Sequence, residues 1–308
     1  MPSAGETVRG ESISTVPGGK GANQAAAAAL LGGQVAMVGC VGEDAFGERL
    51  LWSLGGFGVD LSPVRKIEGV STGTAAILVD GRGENRIIVI PGANGHLAPD
   101  TLTSMENQIA RAAIVVLQLE VPMSTVETAV TLAAQHGVPV LLNPAPASAL
   151  DKSLLSRVKY LVLNETEALV LTGVQPTDAQ GCRTAAQVLR ARGAEVIVLT
   201  LGGQGAYVLS ADGELEVPAR RVKVVDTTAA GDAFVGGFAV SMVEGRGLHE
   251  AATFACAAGT LAVTRLGAQT SLPTREEVET LLAQAEVRDE VLEPIPRPVQ
   301  PTGSGGNT

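Results

Sequence analysis

The sequence predicts an α/β fold with a doubly wound, mainly parallel sheet flanked by helices, and three observations carry the prediction. From Ala112 onward, β-type runs alternate with segments of helical periodicity, an order that makes neighbouring strands parallel and places the crossover helices on the sheet faces. Aromatic residues make up only 3% of the chain while Ala, Val, Leu and Gly dominate, which suits helices packed closely on a sheet. Four successive β-type runs end in polar groups: Glu120 after VVLQL, Asn143 after VPVLL, Asn164 and Glu167 after YLVL, and Thr200-Leu201-Gly202-Gly203 after VIVL. Such sheets bind ligands beyond the carboxyl ends of their strands, so this repeated polarity marks one edge of the sheet.

Taken in order, Met1–Ser14 is polar and the first recognisable element follows Pro17. PGGKGANQAAAAALLGG, Pro17–Gly33, reads as a glycine-rich turn running into an alanine-rich helix. It is not a Walker A loop, because Lys20 is followed by Gly21 rather than Ser or Thr. Gln34–Val41 is a buried strand, and Asp44 opens a helix that later glycines stop. Thr72–Asp80 and Asn85–Ile90 form two strands around Gly81-Arg82-Gly83-Glu84, a flap that could exclude water from a site. The regular series follows: strand Ala113–Leu119, helix Met123–His136, strands Val138–Leu142 and Tyr160–Leu163, helices Glu165–Thr172 and Ala179–Arg192, and strand Glu195–Thr200. A β-type run at Val217–Val225 leads to a helix over Ala233–Glu244, then helices over Leu248–Arg265 and Glu276–Ala285. From Val287 the chain is rich in Pro, Gly and Ser and is expected to be disordered.

Two junctions carry chemistry. Ala229, Ala230 and Gly231 fall at a helix N-terminus, where unpaired N–H groups favour an anion and small side chains let it approach. Asp232 places a carboxylate beside them, so a phosphoryl group and a hydroxyl to be deprotonated could meet there. The segment equally suits a capped helix in which Asp232 only answers the helix dipole. At the other junction, Gly18, Gly19 and Gly21 admit a ligand to the backbone, and Lys20 and Asn23 could bond its hydroxyls; a helix start with a solvated lysine is the plainer alternative.

A net charge of −10 and a pI near 4.9, without a basic cluster, argue against nucleic-acid or acidic-membrane partners. Cys40, Cys182 and Cys256 have no metal-like spacing and read as buried thiols of a reducing compartment, hence a cytoplasmic protein. The sequence has neither an apolar run long enough to span a bilayer nor a signal-peptide pattern at its start.

Together these segments resemble the carbohydrate and purine kinase family, which includes ribokinases, fructokinases and adenosine kinases. PGGKGANQA at Pro17–Ala25 is similar to the family's sugar-binding signature and DTTAAGDAF at Asp226–Phe234 to its catalytic signature, with LQLE, NPAPA, NETE, TLGGQG and TRLGAQTS between and after them in ribokinase-like order. The likeness spans roughly residues 3–284. It implies one kinase domain over residues 1–286, with lid strands within about 1–16 and 70–92, and a tail over 287–308. It further implies transfer of the γ-phosphoryl group of ATP to the 5-hydroxyl of ribose, with Asp232 as base and the N–H groups of Ala229, Ala230 and Gly231 as anion hole. Gly19, Lys20, Gly21, Ala22, Asn23 and Glu120 would hold the sugar. Asn164 and Glu167 would orient phosphate and Mg²⁺, while Thr200, Leu201, Gly202, Gly203, Gln204, Gly205 and Cys256 would line the nucleotide pocket together with Gly231 and Asp232. A monovalent cation, K⁺ by resemblance, would fall at Asp226, Thr228, Ala262, Arg265, Gly267 and Ser271.

The flap's apolar residues, Ile77, Leu78 and Ile87–Ile90, could pair with a second copy in a homodimer, as the resemblance implies, or pack over their own domain. Fructokinase activity, another sugar kinase of the family, or a non-catalytic sugar or nucleotide binder are the rival readings; a Rossmann dehydrogenase lacks its GxGxxG fingerprint. One departure stands out. Ala4-Gly5-Glu6-Thr7 comes almost at once, where the family first has a strand carrying a sugar-binding aspartate. The expectation is that this strand is missing ahead of Met1, either because the start lies upstream or because the chain is an impaired relative.

Overall fold

The computed structural model describes residues 5–79 and 85–290. Its ten strands among these residues are β1 (Gly39–Gly42), β2 (Val64–Ile67), β3 (Thr74–Val79), β4 (Asn85–Ile90), β5 (Val115–Leu117), β6 (Val140–Leu142), β7 (Tyr160–Asn164), β8 (Val196–Thr200), β9 (Ala206–Ser210) and β10 (Gly213–Val217). The main sheet runs β10-β9-β8-β7-β6-β5. Its β5 to β8 pair in parallel, whereas β9 and β10 are antiparallel additions.

Side chains alternate across a strand, and here both faces of the sheet are buried. Leu142, Leu161, Leu163, Ile197 and Leu199 pack with Val126, Val130, Ala185 and Leu189 of helices Met123–Gln135 and Ala179–Ala191. The intervening Leu141, Tyr160, Val162, Val196 and Val198 pack with Phe234, Phe238, Ala251 and Ala255 of helices Ala230–Val243 and Leu248–Ala262. Continuous apolar strands of this kind are what a parallel sheet covered on both faces requires.

A third packed unit sets the site. Helix Lys20–Leu30 presents Ala22, Ala25, Ala26 and Ala27 to the core, and these small side chains bring it against helix Ala230–Val243. A Cβ on Gly236 would meet the Ala27 Cβ at 2.7 Å and the Ala28 backbone nitrogen at 2.8 Å, so only glycine permits this approach. Asn23 meets Asp232 and Ala27 meets Gly236, each pair four residues along. The two helices therefore run in the same direction, with their N-termini side by side.

Beside the main sheet, β1 and β2 form a separate parallel pair, extended by the bridge between Ala36 and Asp60. Several expectations are corrected by the structure. The strand expected over Gln34–Val41 narrows to β1. Residues 5–16 form no strand; they are exposed, and Ile13, 96% exposed, has no apolar surface to cover it. The flap among the described residues is therefore the antiparallel β3-β4 pair alone, in register from Thr74 opposite Ile90 to Val79 opposite Asn85. The run Val217–Val225 is not a strand beyond Val217. Its partner β9 begins at Ala206, opposite Val217, and Pro218 follows without an N–H to continue a ladder. The final helix spans Arg275–Glu290, so Val287–Glu290 are helical rather than part of a tail, and residues 291–308 lie outside those described.

Candidate active site

Helix Lys20–Leu30 starts from Gly19 at φ 98°, a conformation disfavoured for other residues. No side chain of its own segment caps it; instead the Lys20 N–H donates to Glu120 Oε2 at 2.8 Å. Glu120 lies just beyond β5, so the end of a strand supplies the negative group that this helix start favours. Gly21 leaves room for Gln118: a Cβ there would stand 2.9 Å from its Oε1. Ala22 is buried and belongs to the apolar core that holds this helix.

One turn along, Asn23 Nδ2 donates to Asp232 Oδ2 at 2.8 Å and Gln24 Nε2 donates to Asp232 Oδ1 at 3.0 Å. Asp232 is 7% exposed and Asn23 5%. Burial raises the pKa of Asp232, opposed by the Asn23 bond, the Lys20 charge and the Gln24 bond, while the Glu120 charge pushes in the same direction as burial. A carboxylate so placed is more basic than an exposed aspartate. The Asn23 Oδ1 is buried with no partner. An unmet buried acceptor is costly, and a donor arriving from a ligand hydroxyl would satisfy it.

Ala229 precedes helix Ala230–Val243 at φ 59°, and among the described residues it alone takes a positive φ without being glycine. For alanine this is strained, the kind of conformation that persists where surrounding structure demands it. No side chain caps this helix. The Ala230 N–H reaches the Thr227 carbonyl at a long 3.3 Å, so Ala230 is the weakest member of the expected anion hole. Gly231 is the most open: nothing lies within 4 Å of where its Cβ would be. Space, a helix N-terminus and a basic carboxylate thus coincide.

Asn164 and Glu167 stand at the end of β7 in a capping box. Glu167 N–H donates to Asn164 Oδ1 at 2.8 Å, while the Asn164 N–H and Nδ2 donate to Glu167 Oε2 and Oε1 at 2.9 and 3.1 Å. Burial raises the Glu167 pKa; the Asn164 N–H and Lys20 lower it, and Asp232 raises it. Thr200 is the register partner of Asn164 on β8. After it, Leu201 leads into the Gly202–Gln204 turn, closed by Gly205, and Gly202 and Gly203 leave open space above their backbone. Cys256 is buried in the core under the sheet, with its thiol pushed up to about 12 by burial.

The residues assigned by resemblance to a monovalent cation are only partly gathered. Asp226 accepts from Thr228 N–H and hydroxyl through Oδ1 and from Gly267 N–H through Oδ2. Burial raises its pKa, but these bonds outweigh it and the net shift is downward. Ala262 is buried, Ser271 donates its hydroxyl to the Ala268 carbonyl, and the Arg265 guanidinium turns to Glu277. No group of three or more His, Cys, Asp or Glu suited to a metal occurs among the described residues.

Sequence reasoning gave Gln24 and Gln118 no role and treated Asn143 only as a strand end, yet all three amides reach the site. Gln118 Nε2 donates to Gln24 Oε1, and Gln24 Nε2 also donates to Asn143 Oδ1 at 3.1 Å. The available signal was a long polar side chain in an otherwise alanine run, and a glutamine interrupting the apolar run Ile114–Leu119 just after β5.

A family model described as pfkB family carbohydrate kinase matches residues 1–275. The chain is 44% identical over 288 residues to a ribokinase of Schizosaccharomyces pombe, covering 90% of this chain and 91% of that one. It is 41% identical over 281 residues to a ribokinase of Haemophilus influenzae, with 91% and 92% covered. The solved structure of Arabidopsis thaliana ribokinase complexed with ribose and ATP matches with a TM-score of 0.86 and 34% identity over 92% of each chain. The fold is accordingly the ribokinase-like α/β fold.

Proposed function

Because the chain belongs to the pfkB family of carbohydrate kinases, phosphotransferases that act on a sugar hydroxyl, we propose that it transfers the γ-phosphoryl group of ATP to the 5-hydroxyl of D-ribose, giving ribose 5-phosphate and ADP. One observation carries the mechanism: a buried carboxylate of raised pKa, Asp232, lies at the open N-terminus of one helix and against Asn23 of its neighbour. The ribose sits over Gly19 to Asn23, with Lys20, Asn23 and Glu120 bonding its hydroxyls. Asp232 takes the proton of the 5-hydroxyl as its oxygen attacks the γ-phosphorus, and the bond to the ADP oxygen breaks. Charge on the transferring group is met by N–H groups of Ala229 and Gly231 and by the helix dipole. Nucleotide lies along Thr200–Gly205, where the backbone at Gly202 and Gly203 is open. Cys256 bounds that pocket from the core.

Mg²⁺ supplies charge neutralisation of the phosphates, and Asn164 with Glu167 would hold it through water, since the capping box already engages one lone pair of each carboxylate oxygen. A monovalent cation, K⁺, would be held by Asp226, Thr228, Ala262, Arg265, Gly267 and Ser271, mostly through carbonyls. The Val263 carbonyl accepts from the N–H groups of Val225 and Asp226, fixing these two segments against each other. The lid's exposed Ile77, Leu78, Ile88, Val89 and Ile90 suit a homodimer contact; light scattering that finds a monomer removes it. Three buried free thiols suit a cytoplasmic protein, a reading that fractionation of the producing cells tests. Among the described residues no helix is long and apolar enough to cross a membrane.

ADP release measured across ribose, deoxyribose and fructose tests the function. Ribose should be the preferred acceptor, and turnover should fall when K⁺ is replaced by a large organic cation. Asp232→Asn should lose about 10²–10⁴-fold in kcat while still binding nucleotide. Near-normal turnover in that variant removes Asp232 as base; ribose binding without turnover in the wild type makes the chain a binder.

A further inference from the structure

The amide network behind Asp232 assigns unequal roles to its two oxygens. We propose that Gln24 is a positioning residue that pins Asp232 Oδ1, leaving Oδ2 as the oxygen that receives the substrate proton. The inference rests on the reading of Asp232 as the base.

The network has a direction. Asn143 Nδ2 donates to the Val162 carbonyl at 2.9 Å, so its Oδ1 is turned toward Gln24. Gln118 donates to Gln24 Oε1, so the Gln24 amide group has its NH₂ end facing Asp232 and Asn143. Each amide can point only one way once its neighbour is fixed. Gln118 follows β5, Asn143 follows β6 and Val162 lies in β7. Three adjacent strands therefore orient one glutamine, 2% exposed, which in turn holds a carboxylate on a helix 208 residues away.

The opposite oxygen faces a different setting. Asp232 Oδ2 is bonded by Asn23 Nδ2, and the other end of that same amide, Asn23 Oδ1, has no partner. A hydroxyl donating there would stand on the Oδ2 side, since the Oδ1 side is filled by Gln24 and its strand-borne partners. Gln24 holds the carboxylate as a rigid group whose reactive edge faces the sugar, and misplacement by an ångström is costly for a transferring proton.

The neighbouring charges do not replace this bond. Lys20, Glu120 and Glu167 act on Asp232 through space, whereas among the described side-chain hydrogen bonds only Asn23 and Gln24 touch it. A donor to the ionised form keeps a carboxyl's pKa down. Its removal moves the pKa of Asp232 upward, and the acidic limb of the kcat profile, where protonated Asp232 is inactive, moves to higher pH.

The test uses the full chain with ribose and MgATP, measuring kcat and KM as functions of pH for Gln24→Leu, Gln24→Glu and Gln118→Leu, with Asp232→Asn alongside. Gln24→Leu is expected to lose about 10–100-fold in kcat, with sugar KM little changed and the acidic limb displaced upward. Gln24→Glu, of nearly the same shape, should displace it further by adding a like charge. Gln118→Leu, which removes the donor to Gln24 Oε1 but leaves Gln24 and Asp232 in place, should shift it in the same direction by less, and it decides the matter if neither Gln24 variant folds. Wild-type kcat and an unmoved acidic limb in a folded Gln24 variant, or in Gln118→Leu where that variant must decide, beside an inactive Asp232→Asn, overturn the role of Gln24 while leaving Asp232 as base. An active Asp232→Asn overturns the underlying reading instead.

Discussion

Two helix N-termini lie side by side in this molecule, and they are finished in opposite ways. Both point the positive ends of their dipoles at the same space. At Lys20 the first N–H is given to Glu120, a carboxylate of the protein itself. At Ala230 there is no side-chain cap, the preceding alanine is held in a strained left-handed conformation, and the space over Gly231 is empty. The capped start has its charge answered internally and suits a neutral, hydroxyl-rich ligand. The open start keeps its charge for a ligand that brings its own anion. A two-substrate site follows from the difference, with Asp232 between the halves.

The largest test of this contrast is to close the open N-terminus. Gly231→Ala adds one methyl into unoccupied space, so the fold should be retained, but a phosphoryl group could no longer approach. A loss of about 10²-fold in kcat is expected, read by ADP release with a melting temperature close to wild type; unaltered kcat would mean that the anion lies elsewhere. The capped N-terminus should respond on the other substrate. Glu120→Gln removes the charge but keeps the shape, and should raise the KM for ribose by about tenfold, worth about 1.4 kcal/mol, with KM for ATP nearly unchanged. If both constants rose equally, the division between the two starts would fail. The smallest effect concerns strain. Ala229→Gly should stabilise the protein by about 1 kcal/mol, the cost of a left-handed alanine less the entropy of glycine, seen as a higher urea midpoint. A destabilised variant would show that the alanine methyl makes contacts worth more than its strain.

Much of the framework was legible along the chain. The helix expected over Glu165–Thr172 has those bounds in the structure, and Asp44 begins the next helix after β1 by accepting from the Gly47 N–H. These are local matters of apolar period, caps and turn residues. The parallel core β5 to β8 followed from the same alternation. What was overlooked was also partly local. Ser210-Ala211-Asp212-Gly213 joins β9 to β10, and its Asp-Gly pair is a hairpin signal that the expected β run at Val217 obscured. β2 was harder to see, because its residues Arg65 and Lys66 are exposed and its pairing with β1 is parallel and distant.

The site divides along the same line. By itself the sequence determined which residues could do the chemistry: a glycine-rich helix start with Lys20 and Asn23, a second with Ala229, Gly231 and Asp232, and polar ends on successive strands. Each depends on neighbours within a turn or two of the chain. Only the tertiary structure decided that the helices run parallel at a spacing set by Gly236 against Ala27, that Asn23 and Asp232, 209 residues apart, share a hydrogen bond, and that Gln24, Gln118 and Asn143 converge behind the carboxylate. The physical reason is that capping and periodicity act over a few residues, whereas the direction of a buried amide depends on which distant donors and acceptors packing brings to it.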